Sequence, residues 1–196
     1  MQSIQTVSEN TIYVGASDRR LAKFENLFPI PRGVSYNAYV ILDEKTALLD
    51  TADASVGAQF LENVAAALDG RKLDYLIVDH MEPDHAAMIE AVLVRWPDLR
   101  LVVNAKTLPM LKMYFPTDNA AIDDALVVKE GDTLDLGKHK LTFVMAPMVH
   151  WPEVMMTFDT TTGTLFSADA FGTFGALEGA LFADEVDFAG KWLDDA

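Results

Sequence analysis

The stretch YLIVDHMEPDH, residues 75–85, decides how this chain folds and what it can bind. Its first part, Tyr75–Val78, is short and continuously apolar, which is typical of a strand buried on both faces. Its second part places four potential metal ligands within six residues: His80, Glu82, Asp84 and His85. A helix is predicted over Ala86–Arg95, directly after this loop. In α/β folds, functional side chains collect in loops at the carboxyl ends of strands, so we expect this loop to form a site.

The composition of the loop favours a metal. Two imidazoles and two carboxylates in so short a segment can converge on one or two cations, and such mixed ligation suits iron, manganese or zinc. The alternative is a polar loop in which Asp84 caps the following helix and His80 is hydrogen-bonded in place. A single residue of this kind would favour the cap. Four of them, with Pro83 fixing the turn, favour a metal site.

Two further candidates follow strand-like segments later in the chain. His150 follows the apolar run at 141–149, and Asp169 follows the predicted strand Thr164–Ser167. Taken singly, such residues are more often a structural histidine and a turn carboxylate. Their positions at strand ends match that of His80, and a carboxylate can bridge two metals through its two oxygens. We therefore group both residues with the loop at 80–85.

Other residues give weaker signals. His139 lies between Lys138 and Lys140 beside a predicted hairpin turn, so we predict that it is exposed. Core positions are expected for four methionines, Met145, Met148, Met155 and Met156. Three aromatic residues flank the proposed site, Trp151, Phe171 and Phe174; they are expected in the core, and the alternative is that they keep water out of the site. The glycines after residue 170 lack the strand–helix context of a phosphate loop.

Composition limits the classes of function. With 196 residues, 51% hydrophobic and 23% charged, the chain has the composition of a soluble globular protein. It contains no cysteine, so disulfides, Cys-ligated metals and thiol nucleophiles are excluded, and a metal site must use His, Asp and Glu. The formal charge of −15 argues against nucleic acid and anionic membranes as partners. Without a signal peptide or a membrane-spanning segment, we expect a cytoplasmic location.

The order of predicted elements indicates an α/β sandwich in one domain, residues 1–196. Strands and helices alternate in the first part: strands Thr11–Val14, Tyr36–Leu42, Ala47–Leu49, Tyr75–Val78 and Leu101–Val103, with helices Ala54–Leu68, Ala86–Arg95 and Leu108–Phe115. Short strands dominate the second part: Leu126–Val128, Thr133–Leu136, Lys140–Met145, Val154–Phe158 and Thr164–Ser167. The tail after Phe171 gives no clear pattern, although Lys191–Ala196 is compatible with the start of a helix. Two β-rich parts with helices between them predict two packed sheets with helices outside.

These motifs carry a family resemblance. The series His80-x-Glu82-x-Asp84-His85, then His150, then Asp169 resembles the metallo-β-lactamase fold, an αββα sandwich. More narrowly, it resembles the diiron domain of flavodiiron proteins, or A-type flavoproteins, because hydrolytic zinc members normally carry His at the position of Glu82. Four more segments fit the flavodiiron pattern: RGVSYNAY (32–39), DEKTALLDT (43–51), APMVHWP (146–152) and FSADAFG (166–172).

The resemblance implies a site with two irons. It assigns six ligands by position: His80, Glu82 and His150 to one iron, Asp84 and His85 to the other, and Asp169 to both. The implied activity is the reduction of O2 to water, of NO to N2O, or both. Electrons would come from FMN, which the family carries in a C-terminal flavodoxin-like domain, and from a flavodoxin- or rubredoxin-type donor. Family members pair head to tail, so a homodimer is expected.

The chain departs from the family pattern in two ways. The family supplies a further His to the second iron from beyond Asp169, but no His follows His150 here. The flavodoxin-like domain is also absent from the 196 residues. We therefore expect a C-terminally incomplete domain, for which a truncated sequence, a split gene and a degenerate relative all remain open.

Two other functions stay open beside the diiron reductase. One is a zinc-dependent hydrolase of the same fold, in which a bridging hydroxide attacks an ester, amide or thioester. The other is a non-catalytic metal-binding module left by the loss of the last ligand.

The Glu82→His substitution tests iron against zinc. We expect the variant to contain more zinc relative to iron than the wild type, because an imidazole replaces an anionic oxygen that stabilises ferric iron. Elemental analysis of both proteins from the same growth medium measures the ratio. Equal ratios in the two proteins would contradict the assignment of Glu82 as an iron-type ligand.

Overall fold

The computed structural model of the chain describes residues 3–116 and 119–185. Within these residues lie fifteen strands: β1 (Gln5–Ser8), β2 (Thr11–Tyr13), β3 (Ala16–Asp18), β4 (Lys23–Phe24), β5 (Phe28–Pro29), β6 (Val34–Tyr36), β7 (Tyr39–Leu42), β8 (Thr46–Leu49), β9 (Tyr75–Ile77), β10 (Arg100–Asn104), β11 (Leu126–Val128), β12 (Thr133–Asp135), β13 (Lys140–Met145), β14 (Met155–Asp159) and β15 (Thr164–Phe166). The same residues form five α-helices: α1 (Gly57–Leu68), α2 (Pro83–Ala86), α3 (Ile89–Arg95), α4 (Thr107–Tyr114) and α5 (Ala120–Asp123). Two short 3₁₀ helices cover Ala54–Val56 and Ala183–Glu185. In the described ranges, no helix combines the length and the apolar character needed to cross a bilayer.

The larger sheet contains seven strands in the order β1-β2-β7-β8-β9-β10-β11. Strands β1, β2, β7 and β8 are antiparallel neighbours, whereas β8, β9, β10 and β11 run parallel. Helices connect the parallel strands, as a parallel connection requires. Every residue of β8 is buried, and three of the four, Ala47, Leu48 and Leu49, are apolar, as is typical of a strand covered on both faces.

The smaller sheet contains four antiparallel strands in the order β12-β13-β14-β15. Burial alternates along β14, where Met155, Thr157 and Asp159 are buried and the two residues between them are half-buried. This period of two is typical of a sheet with one face on the core.

Two layers of apolar side chains hold the structure together. Between the two sheets lie residues from strands and one adjoining turn: Ile41, Ala47, Leu49, Ile77, Val102, Val128, Leu134, Leu136, Leu141, Phe143, Met155 and Phe166. The second layer lies between the seven-stranded sheet and the helices, and includes Phe60 and Val64 of α1. All buried apolar helix residues in the described ranges belong to this second layer. The predicted α/β sandwich is thus confirmed, and the described ranges supply its helix–sheet–sheet layers.

The ends of several strands meet at one edge of the sandwich. The backbone N–H of Asp50, just after β8, donates to the carbonyl of Ile77 at the end of β9 at 2.9 Å. The N–H of Met155, at the start of β14, donates to the carbonyl of Asp79 at 3.0 Å. This second contact joins the two sheets, so the loops that follow β9 and β15 and precede β14 come together.

Some boundaries differ from the prediction. The helix predicted over Ala86–Arg95 begins earlier, at Pro83, because proline is favoured in the first turn of a helix, and it is divided into α2 and α3. The predicted strand Tyr36–Leu42 is two strands, since β6 pairs with β3 while β7 pairs with β2. The possible helix at 191–196 lies outside the described residues.

His139 is buried, with only 1% of its surface exposed, so the prediction that it is exposed is wrong. Its Nδ1 lies 2.8 Å from Oδ2 of the buried Asp159, and its backbone N–H donates to Asp43 at 2.6 Å. The flanking lysines are indeed exposed. The chain bends at residues 137–138 and β13 begins only at Lys140, so the exposure of the two lysines does not extend to His139 between them.

The His139→Ala substitution measures what this buried pair contributes. Burial favours a raised pKa for Asp159, but hydrogen bonds from Thr162 and His139 outweigh it and lower the pKa. Loss of the imidazole leaves a buried carboxylate short of one partner, so we expect the free energy of unfolding to fall by about 1–3 kcal/mol. Urea denaturation measures this change. Lys138→Ala, at the exposed neighbouring position, is the control, and an equal loss in both variants would contradict the expectation.

Candidate metal centre

The loop after β9 and the short helix α2 together supply four of the six predicted ligands. Glu82 has an extended backbone, with φ of −60° and ψ of 145°, and Pro83 then starts the helical turn. The N–H of His85 donates to the carbonyl of Glu82 at 2.9 Å, which closes this turn. Thr51 donates through its N–H and its hydroxyl to the carbonyl of His85, at 2.8 and 2.6 Å. These bonds fix the loop against the end of β8.

Four side chains form the first ligand group: His80, Glu82, His150 and Asp169. Oε2 of Glu82 lies 3.1 Å from Nε2 of His80 and 2.7 Å from Nε2 of His150. Oδ2 of Asp169 lies 3.3 Å from each of the same two nitrogens. All four ligand atoms lie within 4.8 Å of one another, a spacing that allows a single cation between them.

Three side chains form the second ligand group: Asp84, His85 and Asp169. Nε2 of His85 lies 2.7 Å from Oδ1 of Asp169 and 3.6 Å from Oδ2 of Asp84. The other oxygen of Asp84, Oδ1, is buried and has no hydrogen-bond partner among the described residues. Because buried polar atoms are normally satisfied, a carboxylate oxygen left in this state fits a site that takes a cation.

Asp169 belongs to both groups and offers a different oxygen to each. Oδ2 faces His80 and His150, while Oδ1 faces His85. The residue before it, Ala168, has a left-handed backbone with φ of 48°, a conformation that is uncommon outside glycine and often occurs at functional sites. The structure therefore brings all six predicted residues together, in two groups that share one carboxylate.

Two buried carboxylates contact the Nδ1 atoms of two histidines, on the side of each ring away from the ligand groups. Oε1 of Glu153 lies 2.8 Å from Nδ1 of His80, and Oδ2 of Asp50 lies 3.0 Å from Nδ1 of His85. A hydrogen bond at Nδ1 orients the ring and leaves Nε2 for a metal. Sequence analysis missed both carboxylates. A signal for Asp50 was its place directly after a buried strand, like the ligand loop itself, whereas Glu153 gave none.

The site favours positive charge at its histidines. Burial alone favours a lower pKa for His80, but hydrogen bonds to three carboxylates outweigh it and raise the pKa to about 11. Burial likewise opposes the charged form of His85, yet hydrogen bonds to Asp169 and Asp50 raise its pKa well above the usual value. Metal cations compete with protons for the same nitrogens.

The pKa values of two carboxyl groups in the site, Asp169 and Asp84, are shifted in opposite directions. Burial favours a raised pKa for Asp169, but hydrogen bonds from His80 and His85 hold that pKa well below its usual range. For Asp84, burial dominates and raises the pKa to about 7. The carboxyl group of Asp84 lies farther from the imidazole of His85 than Asp169 does, 3.6 Å against 2.7 Å, which again fits a position completed by a cation.

A cavity of about 370 Å³ opens onto both ligand groups. The candidate ligands line part of this cavity, and aromatic and small side chains line the rest. The aromatic residues are Phe24, Phe28, Tyr36 and Phe174. His150 is 56% exposed and lies on the accessible side of the first group. A small molecule can thus approach the ligand groups from this cavity.

The aromatic and methionine residues near the site differ in burial. Phe174 is half-buried and packs against Phe24 with ring centroids 5.2 Å apart, and the half-buried Trp151 lies edge-on to His80 at 5.4 Å. Phe171 and Met148 are 90% and 69% exposed, so the prediction of core positions for these two is wrong. Both residues have positive φ values, 68° and 70°, in irregular loops, where no period predicts the direction of a side chain.

Comparison with known proteins agrees with this geometry. The model of the ODP family of β-lactamase domains matches residues 34–192. The chain belongs to this family. Over 185 residues it is 38% identical to the anaerobic nitric oxide reductase flavorubredoxin of Klebsiella pneumoniae, an alignment that covers 92% of this chain and 37% of that protein.

Solved structures confirm the resemblance to the flavodiiron core. The rubredoxin oxygen:oxidoreductase of Desulfovibrio gigas superposes with a TM-score of 0.89 at 30% identity, covering 96% of this chain and 46% of that one. The flavodiiron protein of Giardia intestinalis gives a TM-score of 0.87 at 27% identity, with coverages of 97% and 45%. The metallo-β-lactamase-like fold is thereby confirmed. This chain spans less than half the length of each of these three relatives.

The Asp169→Ala substitution tests whether one carboxylate serves both groups. We expect metal occupancy to fall at both positions, because Oδ1 and Oδ2 belong to the same side chain. The matched variant Asp84→Ala is expected to lower occupancy at the second position only. Metal per chain after anaerobic loading with ferrous iron is the measurement, and Asp98→Ala, at an exposed position, is the control. Two ions retained by Asp169→Ala would overturn the assignment of a shared ligand.

Proposed function

We propose that this chain is the diiron domain of a flavodiiron-type reductase, which reduces O2 to water, NO to N2O, or both. The observation that carries the proposal is the placement of Asp169, which offers one oxygen to each of two adjacent histidine–carboxylate groups. The printed names of the relatives support the same chemistry. One is an anaerobic nitric oxide reductase and another an oxygen oxidoreductase.

The six ligands fit iron in this proposal. They divide as the two groups suggest: His80, Glu82 and His150 at the first position, Asp84 and His85 at the second, and Asp169 at both. Three imidazoles and three carboxylates form a nitrogen and oxygen donor set without thiolates, and the hard anionic oxygens stabilise the ferric state. When bound, two irons supply the electron transfer to O2 or NO. The second position has three donors among the described residues.

The protein orients the metal-binding histidines and limits access to the metal positions. Asp50 and Glu153 hold the rings of His85 and His80, so that their Nε2 atoms face the metal positions. Aromatic side chains, including Phe24 and Phe174, line the cavity of about 370 Å³ above them. Such a lining admits a small neutral gas and limits the access of competing water.

Electron supply and assembly are further parts of the proposal. We expect FMN to deliver the electrons from another domain or a partner chain, and a flavodoxin- or rubredoxin-type protein to reduce it. The relatives' printed names, which include flavorubredoxin and rubredoxin oxygen:oxidoreductase, support a donor of this kind. A single domain over residues 1–196, a homodimer and a cytoplasmic location belong to the same proposal.

Metal content and gas consumption test the proposed function together. We expect two irons per chain after anaerobic purification and loading with ferrous iron. With chemically reduced FMN as the electron source, the loaded protein should consume O2 or NO faster than free FMN does. The Asp169→Ala variant is the control for iron bound elsewhere.

The outcomes separate the three candidate functions. Zinc alone, with hydrolysis of ester or amide substrates, would contradict the reductase and support the hydrolase. One metal or none, with no gas consumption even when reduced flavodoxin is supplied, would support a non-catalytic metal-binding module.

A further inference from the structure

Glu153 lies three residues after His150 in the chain, but its side chain contacts a different histidine. It is buried, with 1% of its surface exposed. Its Oε1 lies 2.8 Å from Nδ1 of His80 and accepts the backbone N–H of Met81 at 3.0 Å. Glu153 therefore contacts both the ring of His80 and the backbone just after it.

The backbone around Glu153 is anchored to the seven-stranded sheet. The side-chain amide of Asn104, the last residue of β10, donates to the carbonyl of Glu153 at 2.5 Å. Oδ1 of Asn104 accepts the N–H groups of Lys106 and Thr107, and Nζ of Lys106 donates to the carbonyl of Pro152 at 3.0 Å. These bonds fix the loop before β14, so that the carboxylate has a defined position behind His80.

Hydrogen-bond geometry alone does not require a carboxylate at position 153. Both N–H groups that face Glu153 point at Oε1, and the side-chain oxygen of a glutamine would accept them equally well. The second oxygen, Oε2, is buried and has no partner among the described residues. What only glutamate adds is a negative charge, which is unfavourable in a buried place unless something compensates for it.

The corresponding carboxylate of the second group has more partners. Asp50 contacts Nδ1 of His85 through Oδ2, and its Oδ1 accepts the N–H groups of Asp79 and His80 at 2.7 and 3.4 Å. Both oxygens of Asp50 are therefore engaged, whereas Glu153 has one oxygen free of any partner in the described ranges. The only histidine ring that Glu153 contacts in the described ranges is therefore that of His80, and the contact is made through one oxygen.

We propose that Glu153 is a positioning residue for the first metal position, which presents Nε2 of His80 to the metal and lowers the reduction potential of an iron bound there. The ring transmits the effect, because a carboxylate at Nδ1 raises the basicity of the metal-binding nitrogen. Added electron density stabilises the ferric over the ferrous ion. The part that concerns iron rests on the proposed function, whereas the part that concerns His80 holds for any metal.

Two variants separate position from charge. Glu153→Gln keeps an acceptor for Nδ1 and removes the charge, so we expect two irons per chain and a reduction potential above that of the wild type. Glu153→Ala removes both, so we expect metal affinity at the first position to fall about 10–100-fold. Redox titration followed by EPR of the mixed-valent centre measures the potential, and titration with Co²⁺ alone measures affinity.

Asp159→Asn is the matched control. Asp159 is also a buried carboxylate that contacts a histidine at 2.8 Å, but it lies at the far end of β14, four residues beyond Met155 and about 13 Å along the strand. It is expected to lower thermal stability without changing Co²⁺ affinity or the potential. Glu153 variants that match the wild type in both quantities, or match Asp159→Asn in losing only stability, would overturn the proposal.

The same experiment separates the two proposals. If the wild type binds Co²⁺ but no iron, the reductase function fails, and the Co²⁺ affinity of Glu153→Ala still decides the role of Glu153. If the wild type binds two irons and the Glu153→Gln potential is unchanged, the electronic role of Glu153 is overturned while the proposed function stands.

Discussion

One carboxylate from the four-stranded sheet joins histidines from the seven-stranded sheet, and the site depends on this contact. Asp169, after β15, lies 2.7 Å from Nε2 of His85 and 3.3 Å from Nε2 of His80. The contact is possible because the two sheets pack face to face through an apolar layer and present their loops at the same edge. Small changes in that packing would separate the two ligand groups, so the core between the sheets positions the site.

Charge explains why such a site favours cations. Glu82, Asp84 and Asp169 bring three carboxylates together, and like charges at short distance repel one another in a buried place. Positive charge on the imidazoles offsets part of this repulsion at Asp169, as its lowered pKa shows, but Asp84 is left with a raised pKa. A bound cation would favour the ionised form of all three. Metal binding and folding stability are then linked, because a ligand that binds only the folded state stabilises that state.

The sequence predicted those parts of the site that are local in the chain. The loop at 80–85 has its four candidate ligands on one short segment after an apolar strand, so their proximity could be predicted from spacing alone. The grouping of His150 and Asp169 with this loop rested on strand ends and on the family resemblance. Glu153 and His139 could not be placed in this way. Glu153 contacts His80 rather than its neighbour His150, and the lysines beside His139 gave a false impression of exposure. Both positions depend on how the sheets pack.

The two ligand groups are unequal, and the inequality follows from their surroundings. The first has four donors, two of them histidines whose Nε2 atoms both face Oε2 of Glu82, and Glu153 adds a carboxylate behind His80. The second has three donors in the described ranges, and one of them, Asp84, has an oxygen without a partner. More donors already in place lower the cost of ordering a site, so the first position is the better prepared of the two.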